Sequence, residues 1–261
     1  MKDALGDRMK NYESVSKGTL LRRTPVIIRV DGKAFHTFTK RFTPETDSSL
    51  TKSPFSETLH QLMVNTAMSM VFTTQNAVLA YTQSDEISVL LKDWSRLNSE
   101  QWFNGNIQKI VSVSGARAAA YFNYHLARMS LKSISPSCIQ DVPLFDARVF
   151  NLPKEEVTNY FIWRQKDASR NSVNMLARFY FSHKHLQGKN ISEVQDMLML
   201  EKGVNWNNLD VWKKRGSCIT LTKTPWASTL PVSVDEDIPI FTQNRDYIER
   251  LLEQEEEPIN V

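Results

Sequence analysis

Two apolar runs, "NAVLAYT" (76–82) and "EISVLL" (86–91), are separated only by Gln83-Ser84-Asp85, and this junction does most to limit what the chain can fold into. So short a connection joins antiparallel neighbours. Both runs are apolar enough to sit in a sheet core. The junction therefore puts two adjacent carboxylates, Asp85 and Glu86, where a core hairpin turns, and their purpose there is the question the sequence poses.

The neighbouring segments supply the order of elements. "PVIIRVD", Pro25 to Asp31, is a β-branched run that stops at the Asp31-Gly32 turn. A polar loop around "TPETDSS" follows, and Ser53-Pro54 reads as a helix start. Phe55, Leu59, Leu62, Met63, Thr66 and Met70 then recur at helical spacing. Ile107 to Met129 reads as a second helix, with Ile110, Val111, Ser114, Ala118, Tyr121 and Phe122 toward the core, and "LFDARVFNL" as one more strand. The sum is β-α-β-β-α-β. This is the order of a ferredoxin-like α+β fold, a largely antiparallel sheet with helices on one face.

In such a sheet the first strand lies beside the central hairpin, so Asp31 and Asp85 can meet although 54 positions separate them in the sequence. Carboxylates converging beside a glycine turn make an oxygen cage suited to Mg²⁺. Such a cage can hold two ions roughly 4 Å apart, one activating a hydroxyl and the other steadying a leaving phosphate. Both aspartates equally fit plain turn positions. Pattern alone leaves the two readings open.

At 261 residues, 41% of them hydrophobic, the chain can bury a full core in one large domain or two small ones. We divide it at residue 152, with residues 153–261 packed on the same core. No apolar run approaches the ~20 residues of a membrane span, and the opening "MKDALGDRMKNYE" is too charged for a secretory signal. A cytoplasmic protein with reduced Cys138 and Cys218 is expected. The formal charge of +3 permits an anionic partner without demanding one. Basic residues gather between Lys2 and Arg41, whereas "ERLLEQEEEPINV" reads as a helix leading to an acidic tail.

Beyond Pro153, Glu155 and Glu156 suit a helix start. Val157, Phe161, Ala168, Met175, Leu176 and Phe179 form an apolar face, and Arg164, Asp167, Asn171, Asn174 and Arg178 a polar stripe that reads as solvated surface.

Four segments carry a family resemblance: "RVDGKAFHTFTK" (29–40), "YTQSDEISVLL" (81–91), "WFNGNIQKIVSV" (102–113) and "FDARVFNLPKEEVTNYFIWRQKDASRN" (145–171). Together they resemble the tRNA-His guanylyltransferase superfamily, polymerases that add nucleotides to the 5′ end of RNA. The opening "ALGDRMKNYE" resembles its shorter bacterial-type members. The resemblance implies a polymerase-palm sheet, two Mg²⁺ ions, ATP, GTP or other nucleoside triphosphates, a tRNA partner and a homotetramer. It implies Asp31 and Asp85 as side-chain metal ligands, the Gly32 carbonyl as a further ligand and Glu86 as a supporting carboxylate.

By the same resemblance Gly32, Lys33, Ala34, Phe35 and His36 lie along the triphosphate, with backbone N–H groups toward phosphate and Gly32 permitting close approach. His36 and Phe35 also fit core packing, as does Phe38. Ser84 fits either a phosphate contact or a turn cap. Lys109 matches a triphosphate lysine, and Asn106 stands where eukaryotic members carry a basic residue. Arg164 and Asn171 match a motif near the RNA end and contact RNA or organise the site. Arg8, Lys10 and Arg29, with Arg22 and Arg23, offer a basic surface to the RNA backbone. Ser169-Arg170-Asn171-Ser172 replaces the histidine-containing run of the tRNA-His enzymes, which favours templated 5′-end repair over addition to tRNA-His. A nucleotidyl cyclase-like palm enzyme and a non-catalytic RNA-binding module are the alternatives. The Pro-rich stretch after Lys223 reads as a strap or strand before the terminal helix.

Overall fold

The computed structural model describes residues 3–38, 53–94, 98–129, 142–221 and 231–253. Cys138, the loop around "TPETDSS", most of the Pro-rich stretch and the acidic tail lie outside them.

In chain order the elements are α1 (Ala4–Ser14), β1 (Val26–Gly32), α2 (Phe35–Phe38), α3 (Glu57–Thr73), β2 (Ala77–Gln83), β3 (Glu86–Leu91), α4 (Ile107–Met129) and β4 (Phe145–Asn151). There follow α5 (Lys154–Tyr180), α6 (His183–Leu186), α7 (Ile191–Lys202), α8 (Val211–Arg215), β5 (Ser217–Leu221), β6 (Val232–Asp235) and α9 (Asp246–Glu253). The sheet order is β4-β1-β3-β2-β5-β6, with every neighbouring pair antiparallel. Its first four strands keep the order expected for β-α-β-β-α-β. The last two come from the C-terminal part and extend the sheet beyond β2.

Period-two alternation sorts the side chains onto two faces. Val26, Ile28 and Val30 of β1 and Ile87, Val89 and Leu91 of β3 pack with Leu62, Met63, Ala67 and Met70 of α3 and Ile110, Ala118 and Phe122 of α4. The Ser56 hydroxyl accepts the Leu59 N–H at 3.1 Å and caps α3. The helix thus starts three residues after the Ser53-Pro54 signal, and Phe55 precedes it.

The second face is covered as well, contrary to the one-sided sheet expected. Ile27, Leu79, Tyr81 and Leu90 pack beneath Val157, Tyr160 and Phe161 of α5, joined by Ile238, Phe241 and Ile248. The stripes on α5 also differ from the expected ones. Met175 and Phe179 are each 38% exposed, whereas Arg164, Gln165 and Ser172 are buried. Arg164 follows Phe161 by three residues and precedes Ala168 by four, so it shares the inward face. Cys218 is free and buried. Among the described residues no helix is long and apolar enough to cross a membrane.

Candidate active site

The ends of β1 and β3 open into a cleft of ≈ 760 Å³ between the sheet, α5 and the segments leading into α3 and out of α8. Asp31, Asp85 and Glu86 lie at its sheet end. Ser84 and Asp85 form the two-residue connection between paired Gln83 and Glu86. Ser84 adopts a φ of 50°, and Ala34, in the turn after β1, one of 56°. Left-handed backbone at non-glycine residues costs energy and tends to cluster at functional sites. The Gly32 N–H donates to the Asp85 carbonyl at 2.9 Å, tying the two turns together.

Burial pushes the Asp85 carboxyl above the ordinary carboxylate range, and the neighbouring Asp31 adds to it; a hydrogen bond from Ser84 acts the other way. Asp31 is raised first by burial and then by Asp146, against the pull of Arg29, Arg148 and Arg164. Among the described residues neither Asp31 nor Asp85 has an ion-pair partner. Two crowded acids that no such ion pair neutralises are a donor set that fits a hard divalent ion. Among the described residues no three His, Cys, Asp or Glu side chains converge on one such point. The remaining ligands of an ion here would be backbone oxygen, water or phosphate, which suits Mg²⁺.

The adjacent carboxylates of the hairpin have separate tasks. Asp85 occupies the turn, whereas Glu86 lies on the face beneath α5 and receives Arg164 in a two-pronged contact, Nε to Oε1 and Nη2 to Oε2, both at 2.7 Å. Both side chains are 7% exposed. Arg164 also donates to Asp167 at 3.1 Å, and Arg170 pairs with Asp167 from outside. The Asn171 amide reaches Asp167 at 3.4 Å. Beneath the pair, Ser88 and Tyr160 share a 2.7 Å hydrogen bond, and burial pushes the Tyr160 hydroxyl up to about 12.

Several expected contacts take a different form. The Lys33 N–H donates to the Leu144 carbonyl at 2.8 Å and that of Gly32 to Asp85, so neither faces phosphate. A Cβ on Gly32 would come within 2.3 Å of the Phe35 ring, so the glycine makes room for that ring. Phe35 is buried against Phe38, Phe122 and Phe145, with ring centroids 5.0 to 5.3 Å away. Lys33 and Ala34 are exposed. His36 is exposed too, and lines the cleft. Ser84 lines the cleft beside Asp85.

Lys109 is not brought to the cleft. It stands in the first turn of α4, where Asn106 accepts its N–H at 2.9 Å. Ile110 beside it packs near Val26 and Leu91, five register steps from the Asp31–Glu86 pair, or about 17 Å of strand. Arg8 and Lys10 are exposed on α1, away from the cleft lining. Arg29 sits within β1 on the α5 side, with its Nε buried and lacking a hydrogen-bond partner.

No sequence signal marked the far wall of the cleft. It comprises Ser53 to Ser56, Leu59, His60, Met175 and Trp212 to Lys214. His60 stacks on Trp212 with ring centroids 4.1 Å apart and reaches Glu236 at 3.0 Å.

Comparison with known proteins follows the same lines. A family model described as tRNAHis guanylyltransferase matches residues 6–153. The solved structure of a bacterial tRNA(His) guanylyltransferase-like protein in complex with ATP is 41% identical, covers 96% of this chain and 100% of that one, and has a TM-score of 0.83. A second such structure, in complex with GTP, is 37% identical, covers 97% and 100%, and has a TM-score of 0.78. The tRNA(His) guanylyltransferase of Kluyveromyces lactis is 30% identical over 217 residues, 77% of this chain and 84% of that protein.

Proposed function

The chain belongs to the tRNAHis guanylyltransferase family of nucleotidyltransferases acting on tRNA, and from that premise we propose that it extends tRNA in the 3′-to-5′ direction to repair shortened 5′ ends. The observation that carries the reading is the pair of crowded carboxylates, Asp31 and Asp85, without an ion-pair partner among the described residues, at the sheet end of a nucleotide-sized cleft.

In this reading the RNA 5′-monophosphate first attacks the α-phosphorus of ATP, forming an adenylylated end and releasing pyrophosphate. The 3′-hydroxyl of an incoming nucleotide then attacks that phosphate and expels AMP; a triphosphorylated end omits the first step. Asp31, Asp85 and the Gly32 carbonyl would hold two Mg²⁺ ions, which when bound supply activation of the attacking hydroxyl and charge neutralisation at the leaving group. The Ser84 hydroxyl orients the Asp85 carboxylate. Arg164 acts as a positioning residue: by clamping Glu86 it fixes the start of β3 and with it the Asp85 turn. Asn171, through Asp167, steadies the same clamp. Base choice comes from pairing with the opposite tRNA strand, so the site supplies alignment and charge rather than base-specific hydrogen bonds.

The run Ser169-Arg170-Asn171-Ser172 supports repair over addition to tRNA-His. A homotetramer, suggested by the resemblance, and a cytoplasmic location complete the proposal. The test offers ATP, Mg²⁺ and labelled nucleotides to a tRNA lacking its 5′ nucleotide and, separately, to full-length tRNA-His lacking the extra guanylate. Template-matched addition to the shortened tRNA is expected. Addition confined to tRNA-His, or none to any 5′-phosphorylated RNA, overturns it.

A further inference from the structure

The outer edge of the sheet carries two neighbouring like-charge pairs. On the face beneath α5, β1 sets Arg29 opposite Arg148 of β4 and, two residues on, Asp31 opposite Asp146. Like charges directly across a ladder destabilise it, so an arrangement of this kind needs a compensating reason. Of the acidic pair, Asp31 lines the cleft already described and Asp146 stands opposite it on the edge strand. The arginine pair lies one step outside the acidic pair. Arg148 is exposed and reaches Asp146 only at 3.7 Å, and the buried Nε of Arg29 lacks a hydrogen-bond partner.

Over this edge stands Trp163, 53% exposed although its neighbours Tyr160 and Phe161 are buried. The indole is held rather than loose. Tyr160 braces it at 5.8 Å and 65°, Phe150 of β4 braces Tyr160 at 5.8 Å, and the Arg164 guanidinium carbon lies 4.5 Å from its ring centroid. From the Tyr160–Phe150 contact, α5 advances through Trp163 to Asp167 while β4 runs back through Arg148 to Asp146, both toward the acids. Trp163, three residues on from Tyr160, and Arg148, two residues back from Phe150, are thus both displaced toward the acids from one shared contact. Lys166 and Arg170, one and two turns along α5, are exposed and cationic.

A rigid, exposed aromatic face flanked by cations is how proteins hold single-stranded nucleic acid without reading its sequence. We propose that Trp163 and Arg148 form a subsite for the RNA terminus, Trp163 stacking on the base at the 5′ end and Arg148 taking a phosphate beside it. The proposal rests on the reaction proposed above. It deepens that reaction by assigning the place where the acceptor end is held.

The experiment uses the full-length enzyme and a 5′-shortened tRNA carrying 2-aminopurine at its terminal position. Wild type should quench the fluorophore on binding. Trp163→Ala should lose the quench and raise KM for the RNA roughly 5- to 100-fold with kcat nearly unchanged, as expected for one lost stacked base. Trp163→Phe should keep most of both. Arg148→Gln should weaken binding and lower the slope of log affinity against log salt by about one. Unchanged quench and KM in folded Trp163→Ala, or an effect on subunit association alone, overturns the subsite. If wild type extends no RNA yet the quench still depends on Trp163, the proposed reaction fails and the subsite stands. If wild type extends RNA and both variants match it, only the subsite fails.

Discussion

The two faces of β1 and β3 are built from alternate residues of the same few positions, yet they do opposite things. Toward α3 and α4 the strands present Val26, Ile28, Val30, Ile87, Val89 and Leu91, an unbroken apolar layer. Toward α5 they present Ile27 and Leu90 at one end and Arg29, Asp31, Glu86 and Ser88 at the other. The dry face fixes the sheet. The other face can then carry charges that would be hard to hold on a sheet anchored from one side only, and it concentrates them where the hairpin turns.

The most severe way to break this comparison is to remove an acid from the charged end. Asp85→Ala should lower nucleotide addition on the order of 10³-fold or more, since in the proposed reaction it removes a metal ligand and several kcal/mol of charge stabilisation; single-turnover extension measures it.

Next in size is the clamp. Arg164→Ala leaves Glu86 buried without its partner and should cost about 3–5 kcal/mol of stability. Urea denaturation reads the loss, and Arg164→Lys, which cannot make the two-pronged contact, should recover only part.

On the dry face, Ile28→Ala should cost about 2–5 kcal/mol by leaving a cavity. Its kcat per folded molecule should stay at the wild-type level, and this contrast with Arg164→Ala sharpens the division between the faces. Equal losses of kcat in the two variants would erase it.

The smallest expected effect concerns pH. Asp31 and Asp85 are both raised by burial and by neighbouring acids, so the folded protein retains their protons longer than the unfolded chain does. Their contribution to stability is present at low pH and is lost as pH rises through the folded-state values. Metal-free Asp85→Asn should therefore gain in thermal midpoint relative to wild type as pH climbs from the ordinary carboxylate range to neutrality. Adding Mg²⁺ should raise the wild-type midpoint and leave the variant's nearly unchanged.

How much of this was legible beforehand follows the same division. The hairpin, the approach of Asp31 to Asp85 and the order of the first four strands are local patterns, since alternation and a three-residue junction leave few alternatives. The coverage by α5 was not legible. Arg164 sits in a stripe that reads as solvated, and a buried guanidinium is betrayed only by Glu86 across the sheet, 78 residues away. Lys109 shows the converse: a motif resemblance says nothing about which end of the sheet α4 starts from. The far wall, His60 against Trp212, and the pairing of β5 with β2 depend on contacts between distant segments, and the helical period of α3 does not say which segment His60 meets.

The most direct measurement takes one preparation of Asp85→Ala and records both its metal-free thermal midpoint and its extension of a 5′-shortened tRNA with ATP and Mg²⁺. Extension should be lost while the midpoint is equal to or above that of wild type, because the acid is held for chemistry at a cost to the fold. Extension retained at the wild-type rate, or lost only together with the fold, would contradict the assignment of Asp31 and Asp85 as the working end of the cleft.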